Sequence, residues 1–528
     1  MPANDHPITE VVPCERPFSF FSEAHRYEGD THNHALHRTF SLARKLRAKT
    51  MVREPLSEPT PTEEAEAVSS RFGSSASLRA WRISFFDREF FFKGAINGLS
   101  PEALLGYADV VSIVVDSRAV ECYVRESVIR PPDLLNNYLH VQTHLAPRIA
   151  GRELTIRGSY FCQQNGLTGC CAHAGLRCAL RNLDVQEEQL TDLHINQLLG
   201  IQAKHASEGL TNPQIGQVIE SAGYSAFHID FFNYPDREYA HFVHPFIESG
   251  FPALLAFAME ETSQPLHVVT VVGHTLNTDL WYPEAKLGYF VTFPSGKYRR
   301  LPSWNWTPDL VVQDDNYGTL LCVSSTCLLK QTLPRLDPRS RAMYGIGLVP
   351  QGIRRSPANA EDRAAVLLDV LMRSLHPQPK KLRWLEELRG TVLNEQRAPV
   401  LRTLLVSKHN YIQHIEASVD WDGRPFSEPH VLALQQLLPD WVWMVEVSIP
   451  NLYTANKTKL GELLIDVEDP DPDPDKDLPS CWVGGRLPGV FFIPRTGIGH
   501  LPVAVSADVE AHVPLYRRPE LPCIAAEW

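Results

Sequence analysis

Apolar and polar residues follow short, regular patterns along most of the chain, and these patterns predict a mixture of helices and strands. Helical spacing of apolar residues begins near Cys171 and recurs at 212–223 and 361–375. The segment 212–223 has Asn at its cap, Pro at its first helical position and Gly at its end. Runs of apolar and β-branched residues predict strands at 83–92, 109–115, 119–126, 153–163, 253–257, 267–272 and 310–312. In the middle of the chain helices precede strands, which predicts an α+β fold rather than a doubly wound parallel sheet.

Changes in this pattern predict four regions along the chain. Residues 1–78 show little regular pattern, and their Pro-, Glu- and Ser-rich part, 54–70, predicts a linker. We expect a β-containing N-terminal domain at 79–149, an α+β domain at 150–330 and an α+β C-terminal domain at 331–528. Within the last domain, alternating Asp and Pro residues near 468–477 predict an exposed, disordered loop.

Composition and charge narrow the class of protein. The 528 residues are 44% hydrophobic and 21% charged, which excludes a mostly disordered chain. The formal net charge of −12 argues against nucleic acid as a partner, because phosphate contacts need a basic surface. No apolar run approaches the roughly 20 residues that span a bilayer, and the N-terminus lacks the pattern of a signal peptide. We therefore expect a cytoplasmic protein that does not bind membranes.

Four of the ten cysteines cluster between Cys162 and Cys178, and one of them is placed for chemistry. Cys171 follows a glycine-containing loop and opens a predicted helix whose next residues are small. The free N–H groups and partial positive charge of a helix N-terminus favour a reactive thiolate. We therefore expect a catalytic cysteine here and interpret Cys162, Cys170 and Cys178 as core residues.

Two later segments carry groups that could complete a catalytic site with this cysteine. His267 begins a predicted strand, and Asp314 lies at the turn that ends another. A carboxylate there can accept the imidazole N–H and fix its orientation. Gln164, shortly before the cysteine, can return its side-chain amide as an oxyanion donor. The order of the three groups predicts a nucleophile, a base and an orienting acid.

These segments resemble the papain-like cysteine peptidases, and most closely the bacterial branch related to bacteriocin-processing peptidase domains. CAHAGL at 171–176 is similar to the Cys-Gly-x-Ala-Ala-Leu helix start of that branch. HVVTVVGH at 267–274 is similar to its His-Ala-Val-x-x-Val-Gly-Tyr strand, and DDNYG at 314–318 to its Asp-Pro-x-x-Gly turn. The resemblance covers about 150–330 and implies a cysteine-bearing helix packed on an antiparallel sheet that bears the histidine and the aspartate.

The resemblance also implies a role for each candidate residue. The nucleophile, the general base, the orienting acid and the oxyanion donor would be Cys171, His267, Asp314 and Gln164. For three of these roles a neighbouring residue stays open as an alternative: Cys170, Asp315 and Gln163. Cys170 fits the family's spacing of six residues after the glutamine, whereas Cys171 better fits the pattern that follows. The gap between the histidine and the aspartate (314 − 267 = 47 residues) is long, so we expect an insertion at about 281–306.

The function implied by the resemblance is that of a bacterial cysteine peptidase. Such an enzyme would cleave an amide or isopeptide bond in a specific protein or peptide substrate, without a metal or organic cofactor. A flanking domain could bind a protein partner. Two alternatives stay open: an acyltransferase of the transglutaminase-like kind, and a non-catalytic interaction protein built on a peptidase fold.

Metal binding is the competing chemistry at two places. The cysteine cluster with His173 could hold zinc, but the matched pair of CxxC motifs typical of zinc sites is missing. His32, His34 and His37 lie close to Glu28 and Asp30 and could also bind a metal, but we interpret that segment as a polar surface.

Overall fold

A computed structural model gives the fold of the chain. It describes residues 9–14, 17–29, 32–56, 62–73, 75–132, 137–186, 190–201, 209–231, 239–258, 266–275, 291–292, 299–307, 309–324, 341–374, 382–418, 425, 428–456, 458–468, 481–492 and 513–516.

The first of three seven-stranded sheets in the described residues is built from the N-terminal third of the chain. The elements of this part are β1 (Glu10–Pro13), α1 (Pro17–His25), α2 (His34–Lys45), β2 (Thr50–Pro55), α3 (Thr62–Phe72), β3 (Ser77–Phe86), β4 (Leu104–Val115), β5 (Arg118–Ile129), β6 (Asn137–Tyr138), β7 (Thr143–Leu145), β8 (Arg148–Ile149), β9 (Arg152–Glu153) and β10 (Ile156–Phe161). Seven antiparallel strands run in the order β1-β2-β3-β4-β5-β10-β7. The apolar face of α2 packs on this sheet, where the Phe40 ring meets the Phe85 ring edge-on at 5.3 Å.

The second sheet carries the segments that the sequence marks as catalytic. The elements here are α4 (Cys171–Arg181), α5 (Asp192–Leu199), α6 (Asn212–Ser221), β11 (Tyr224–Asp230), α7 (Tyr239–Glu248), β12 (Ala253–Ala258), β13 (Leu266–Thr275), β14 (Val291–Thr292), β15 (Arg299–Pro302), β16 (Asp309–Asp314), β17 (Gly318–Ser324) and β18 (Arg341–Pro350). The strand order is β11-β18-β12-β13-β16-β17, and β6 also pairs with β13.

Alternating side chains cover the two faces of this second sheet. Leu254 and Val268 belong to the apolar cluster formed with α4, whereas Leu255 and Val269 belong to the cluster formed with α7. Successive residues of a strand point to opposite faces, so a nearly continuous apolar run predicts cover on both sides. The apolar sequences of β12 and β13 are therefore explained by helices on either face.

The third sheet is formed mainly by the C-terminal part of the chain. Its elements are α8 (Pro357–Ser374), α9 (Arg383–Val392), β19 (Val400–Ser407), α10 (Lys408–Ala417), α11 (Glu428–Leu437), β20 (Trp441–Ser448), α12 (Pro450–Asn456), β21 (Thr458–Lys459), β22 (Gly461–Asp466), β23 (Trp482–Leu487), β24 (Val490–Phe492) and β25 (Val513–Pro514). The strand order is β14-β15-β19-β20-β22-β23-β24. Arg402 of β19 donates hydrogen bonds to Glu248 of α7 and to Glu446 of β20, so buried charges tie the second and third sheets together.

The mixture of helices and antiparallel sheets is compatible with the α+β class expected from the sequence. Within the described ranges, the pairing of β15 with β19 is parallel and the remaining pairings are antiparallel. A short turn joins the strands predicted at 109–115 and 119–126, with Asp116 and Ser117 at φ 48° and 69°. These left-handed angles suit the tight turn of a two-residue hairpin.

Two local predictions differ from the structure. The expected linker at 54–70 is largely helical, because α3 occupies Thr62–Phe72. Helix α6 is capped by Thr211 rather than by Asn212, since the Thr211 hydroxyl accepts the N–H of Gln214 and the Gln214 side chain accepts the N–H of Thr211. This reciprocal pair is a capping box.

The expected domain boundaries stay predictions, and each of the three seven-stranded sheets crosses at least one of them. The first sheet joins β5 to β10 across residue 150, and the second contains β18, beyond residue 330. The third sheet takes β14 and β15 from the expected insertion at 281–306, part of which lies outside the described residues. Most of the acidic segment near 468–477 also lies outside them.

Candidate active site

Helix α4 brings the paired cysteines to the second sheet. The N-cap of the helix is Cys170 and its first residue is Cys171. The helix lies close to β13 because Gly175 has no side chain: a Cβ there would lie 3.1 Å from Cγ1 of Val268. The Thr270 hydroxyl donates a hydrogen bond to the Gly175 carbonyl at 2.9 Å. The small residues after the cysteine therefore allow the helix to pack closely on the strand that bears the candidate base.

His267 and Asp314 lie in hydrogen-bond contact. They stand on the neighbouring strands β13 and β16, and His267 Nε2 is 3.1 Å from Asp314 Oδ1. The same carboxylate oxygen accepts the N–H groups of Asn316 at 2.9 Å and Tyr317 at 3.3 Å. The turn after β16 thus holds the carboxylate in place, and the carboxylate holds the imidazole.

The charges around His267 favour its protonated form. Burial opposes a charge on the imidazole, but the hydrogen bond to Asp314 and the negative charges of Asp314 and Asp315 outweigh this and raise the pKa of His267. With Nε2 engaged by Asp314, the other ring nitrogen, Nδ1, lies 3.5 Å from the Asn316 amide nitrogen. Nδ1 is therefore the nitrogen at which a proton can be exchanged.

Asp315 is a buried carboxyl group beside this pair. Its Oδ1 lies 3.6 Å from His267 Nε2, and its side chain is 3% exposed. Neither carboxylate oxygen has a hydrogen-bond partner among the described residues. Burial above all, and then the charge of Asp314, raises the pKa of Asp315 to about 7. Asp315 therefore changes its charge near neutral pH, whereas Asp314 makes the shorter contact with the histidine.

The two cysteines face different neighbours. The Cys171 thiol lies 3.6 Å from the carbonyl oxygen of Leu266 and donates a hydrogen bond to it. Leu266 is the residue directly before His267. The Cys170 sulfur lies 3.3 Å from His173 Nδ1. The neighbouring Cys171 thiol, together with His173 and against burial, lowers the pKa of Cys170 below its usual value. The contact with Cys170, burial and then negative charge on Cys170 raise the pKa of Cys171 above its usual value.

His173 and Asn196 form a contact that sequence reasoning missed. Because His173 Nδ1 accepts the Cys170 backbone N–H at 3.3 Å, its Nε2 carries the proton and donates to Asn196 Oδ1 at 2.9 Å. The Asn196 amide donates in turn to the carbonyl oxygen of Thr168. The spacing of Cys170 and His173 fits a capping box, a signal present in the sequence, whereas the contact with α5 is not local.

The two candidate glutamines differ in their surroundings. Gln163 Oε1 accepts hydrogen bonds from the Val124 N–H at 3.1 Å and from the Asn33 amide at 3.0 Å. Gln164 is half-buried, and its side chain makes no hydrogen bond within the described part of the chain. Gln163 is therefore fixed by β5 and the start of α2, whereas Gln164 has no such anchor within the described residues.

The predicted site residues are thus brought together in part. His267 and Asp314 are in direct contact, and Cys171 contacts the strand at the residue before His267. In the part of the chain that the structure describes, no hydrogen bond joins either thiol to His267. The carboxylate of Asp315 interacts electrostatically with Cys170, Cys171 and His267, so all these groups lie in one region.

Three groups of side chains in the described residues could hold a metal ion, and none includes a cysteine. They are Glu28, His32 and His37; His244, Glu248 and His274; and His267, Asp314 and Asp315. Zinc bound by the cysteine cluster is therefore not supported in these residues. In the same residues, Cys162 and Cys178 are buried and face each other with their sulfurs 3.8 Å apart.

A membrane-spanning helix is not found among the described residues: none of their helices is both long and apolar enough to cross a bilayer.

Comparison with known proteins gives weak structural similarity to a peptidase domain. No protein-family profile matches the chain, and neither does any curated protein sequence. Among solved structures, the peptidase domain of Streptococcus ComA, a bi-functional ABC transporter involved in quorum sensing, is 14% identical to the chain. The similarity covers 36% of this chain and 96% of that domain, with a TM-score of 0.20. A similarity at this level carries no argument about function. The function is therefore argued from the geometry of the site.

Proposed function

We propose that this protein is a cysteine peptidase that cleaves an amide or isopeptide bond of a protein substrate through Cys171, His267 and Asp314. The observation that carries the proposal is the meeting of three segments that are remote in the sequence. Cys171 opens α4 with its sulfur 3.6 Å from the Leu266 carbonyl oxygen. The next residue along β13, His267, has its Nε2 3.1 Å from Asp314 Oδ1.

Proton transfer from the thiol to His267 starts the proposed reaction. Because Asp314 engages Nε2, the thiol proton goes to Nδ1 and leaves a thiolate beside an imidazolium. The carboxylates that raise the pKa of His267 stabilise this imidazolium. The N-terminus of α4 stabilises the thiolate through the partial positive charge of the helix.

The thiolate of Cys171 then attacks the carbonyl carbon of the substrate. A C–S bond forms, and the π electrons move to the oxygen, which accepts hydrogen bonds from the Gln164 amide and from an N–H at the start of α4. When the C–N bond breaks, His267 gives its proton to the leaving amine. His267 then takes a proton from water, and the resulting hydroxide hydrolyses the thioester and frees the thiol.

Accessibility favours Cys171 over Cys170 as the nucleophile. Cys171 is half-buried, whereas Cys170 is buried, 8% exposed, and faces His173. The pKa values of the two thiols oppose this choice, since negative charge is more stable on Cys170 than on Cys171. We infer that Cys171 becomes the thiolate when His267 takes its proton.

Alkylation by iodoacetamide, followed across pH with the labelled cysteine identified by mass spectrometry, tests the nucleophile. The matched variants are Cys170→Ser and Cys171→Ser, with His267→Ala to remove the base. We expect Cys171 to be labelled rapidly well below pH ~8.5, the usual thiol pKa, in the wild type and in Cys170→Ser. This labelling should be lost in His267→Ala. Rapid labelling of Cys170 alone would overturn the choice of Cys171.

Hydrolysis itself is tested with a peptide library. The wild type and Cys171→Ser are incubated with peptides from a digested proteome, and new termini are identified by mass spectrometry. We expect new termini with the wild type alone. Products that appear only when a primary amine is added would instead identify an acyltransferase. Labelling of Cys171 no faster than that of an ordinary exposed cysteine, together with no turnover, would favour the non-catalytic interaction protein.

A further inference from the structure

A cluster of imidazoles surrounds one carboxylate between α1 and α2, away from the candidate active site. Glu28 Oε1 lies 2.9 Å from His32 Nδ1 and 2.9 Å from His37 Nε2. The other oxygen, Oε2, lies 2.9 Å from Nδ1 of His25, the last residue of α1. The Glu28 side chain is only 4% exposed, whereas the side chains of His25 and His32 are 76% and 49% exposed.

The backbone around Glu28 is fixed independently of the imidazoles. A Cβ at the next residue, Gly29, would lie 2.2 Å from the carbonyl carbon of Val120 in β5, so only glycine fits there. The Asn33 N–H donates to Glu28 Oε1 at 2.7 Å. The rings of His32 and His37 stack with their centroids 4.3 Å apart. The carboxylate and its two nearest rings are therefore held in place by the fold.

The chemistry of this set suits a cation. The Glu28 carboxylate accepts the Asn33 N–H and is surrounded by the imidazoles of His25, His32 and His37. Two imidazole nitrogens and one carboxylate oxygen, all within 4.8 Å of one another, are typical ligands of zinc and related metals.

We propose that Glu28, His32 and His37 bind one divalent transition-metal ion, with zinc as the best match to the ligand set. The side chain of His32 is 49% exposed, so the metal can enter from solvent and can keep water in a remaining position. Glu28 lies in the loop after α1, His32 lies just before α2, and His37 lies within α2. The metal would therefore join the two helices.

A second histidine–glutamate cluster shows what distinguishes this one. His244 and His274 both approach Glu248, at 3.2 and 2.8 Å. However, the guanidinium of Arg402 also binds Glu248, and all four side chains are buried. A fixed positive charge already occupies that carboxylate, so a metal ion would be repelled. At Glu28 the ion pairs of the described residues involve only histidines.

The proposed metal site lies at one end of a helix that contacts the candidate active site. Asn33, which caps α2, donates to Gln163 Oε1 at 3.0 Å. Arg38, further along α2, donates to the carbonyl oxygens of Thr319 and Leu320 in β17. We infer that the metal fixes the start of α2 and, through it, the loop before α4. The metal site itself does not depend on the proposed peptidase activity.

Zinc binding by the full-length protein tests the proposal. The protein is stripped with a chelator, its thiols are blocked with iodoacetamide, and Zn²⁺ is titrated by calorimetry. We expect one site per chain in the wild type and a rise in Tm on zinc addition. The double variant His32→Ala/His37→Ala should lose more affinity than the roughly 10- to 100-fold typical of removing an outer-shell partner. The matched control, His34→Ala, changes an exposed neighbouring histidine and should bind as the wild type does.

The conservative variant Glu28→Gln separates metal binding from folding. It keeps a hydrogen-bond acceptor for the Asn33 N–H but lacks the negative charge, so we expect a folded protein with greatly weakened zinc binding. Absence of a zinc site in the wild type would overturn the proposal. So would binding that survives in His32→Ala/His37→Ala, or binding that His34→Ala weakens equally.

Discussion

Replacing Asp314 by Asn tests whether the His267–Asp314 contact acts through its charge. Asn is isosteric with Asp, and its Oδ1 can still accept the N–H groups of Asn316 and Tyr317 that hold the turn. It can also accept the Nε2–H of a neutral His267. The substitution therefore removes the negative charge beside the imidazole and leaves the geometry of the turn intact.

The expected magnitude follows from the kind of hydrogen bond that changes. A hydrogen bond to a charged group contributes roughly 1.5–3 kcal/mol, and a neutral one roughly 0.5–1.5 kcal/mol. The difference, about 1–1.5 kcal/mol, is the stabilisation that the imidazolium loses. It corresponds to a roughly 5- to 13-fold smaller population of the thiolate–imidazolium pair. The alkylation rate of Cys171 should fall by this factor.

The assay is iodoacetamide labelling of Cys171 at pH 6, where an ordinary thiol is almost entirely protonated. Asp315→Asn is the matched control, because it changes a carboxyl group on the same imidazole. Since the pKa of Asp315 is about 7, this group is mostly neutral at pH 6, and its substitution should have little effect there. At pH 8 Asp315 is ionised, and its substitution should slow the labelling.

Two results would refute this reasoning. If Asp314→Asn labels Cys171 as fast as the wild type at pH 6, the carboxylate does not stabilise the imidazolium that activates the thiol. If Asp315→Asn slows the reaction at pH 6 as much as Asp314→Asn, then Asp315 is the orienting acid.

Three further predictions concern stability and packing. The pKa of Asp315 is raised from 3.8 to about 7 on folding, so the native state binds the extra proton and stability falls as pH rises from about 4 to 7. Asp315→Asn should remove this slope and raise the free energy of unfolding at pH 7 by up to roughly 4 kcal/mol, measured by urea denaturation at both pH values. Arg402→Met leaves buried Glu248 and Glu446 without this counter-charge, and chemical denaturation should show a loss of about 3–5 kcal/mol. Gly175→Leu should push α4 away from β13, cost about 1–3 kcal/mol in the same assay and slow labelling of Cys171, whereas Gly175→Ala should do far less.

Local sequence patterns predicted the elements that carry the candidate site. The helix that begins at Cys171, the strand that contains His267 and the strand that ends at Asp314 are all present. Each is determined by neighbouring residues: small residues after a loop, a β-branched run, and an acidic turn ending in glycine. The contacts around the start of α4 were not predictable, because Asn196 reaches His173 and Asn33 reaches Gln163 from other elements.

The composition of the segment 54–70 predicted a linker, whereas the positions of its prolines permit a helix. The segment 54–70 is rich in Pro, Glu and Ser, but its prolines stand at 55, 59 and 61, all before α3 begins. From residue 62 onward the sequence TEEAEAVSS contains good helix formers, and proline just before a helix does not disturb it. At α6, Thr and Asn are both favourable caps, and the Gln three residues after Thr211 decides between them.

The candidate site depends on residues far outside 150–330. Gln313 of β16 donates to the Tyr160 carbonyl oxygen at 3.1 Å, which ties the strand that bears Asp314 to β10 in the first sheet. Strand β10 leads directly into the loop before α4, and α2 contacts both that loop and β17. Because β10 pairs with β5, a chain cut at residue 150 would separate hydrogen-bonded neighbours and expose the edge of β10. The N-terminal sheet is therefore part of the scaffold that holds the cysteine, the histidine and the aspartate in one region.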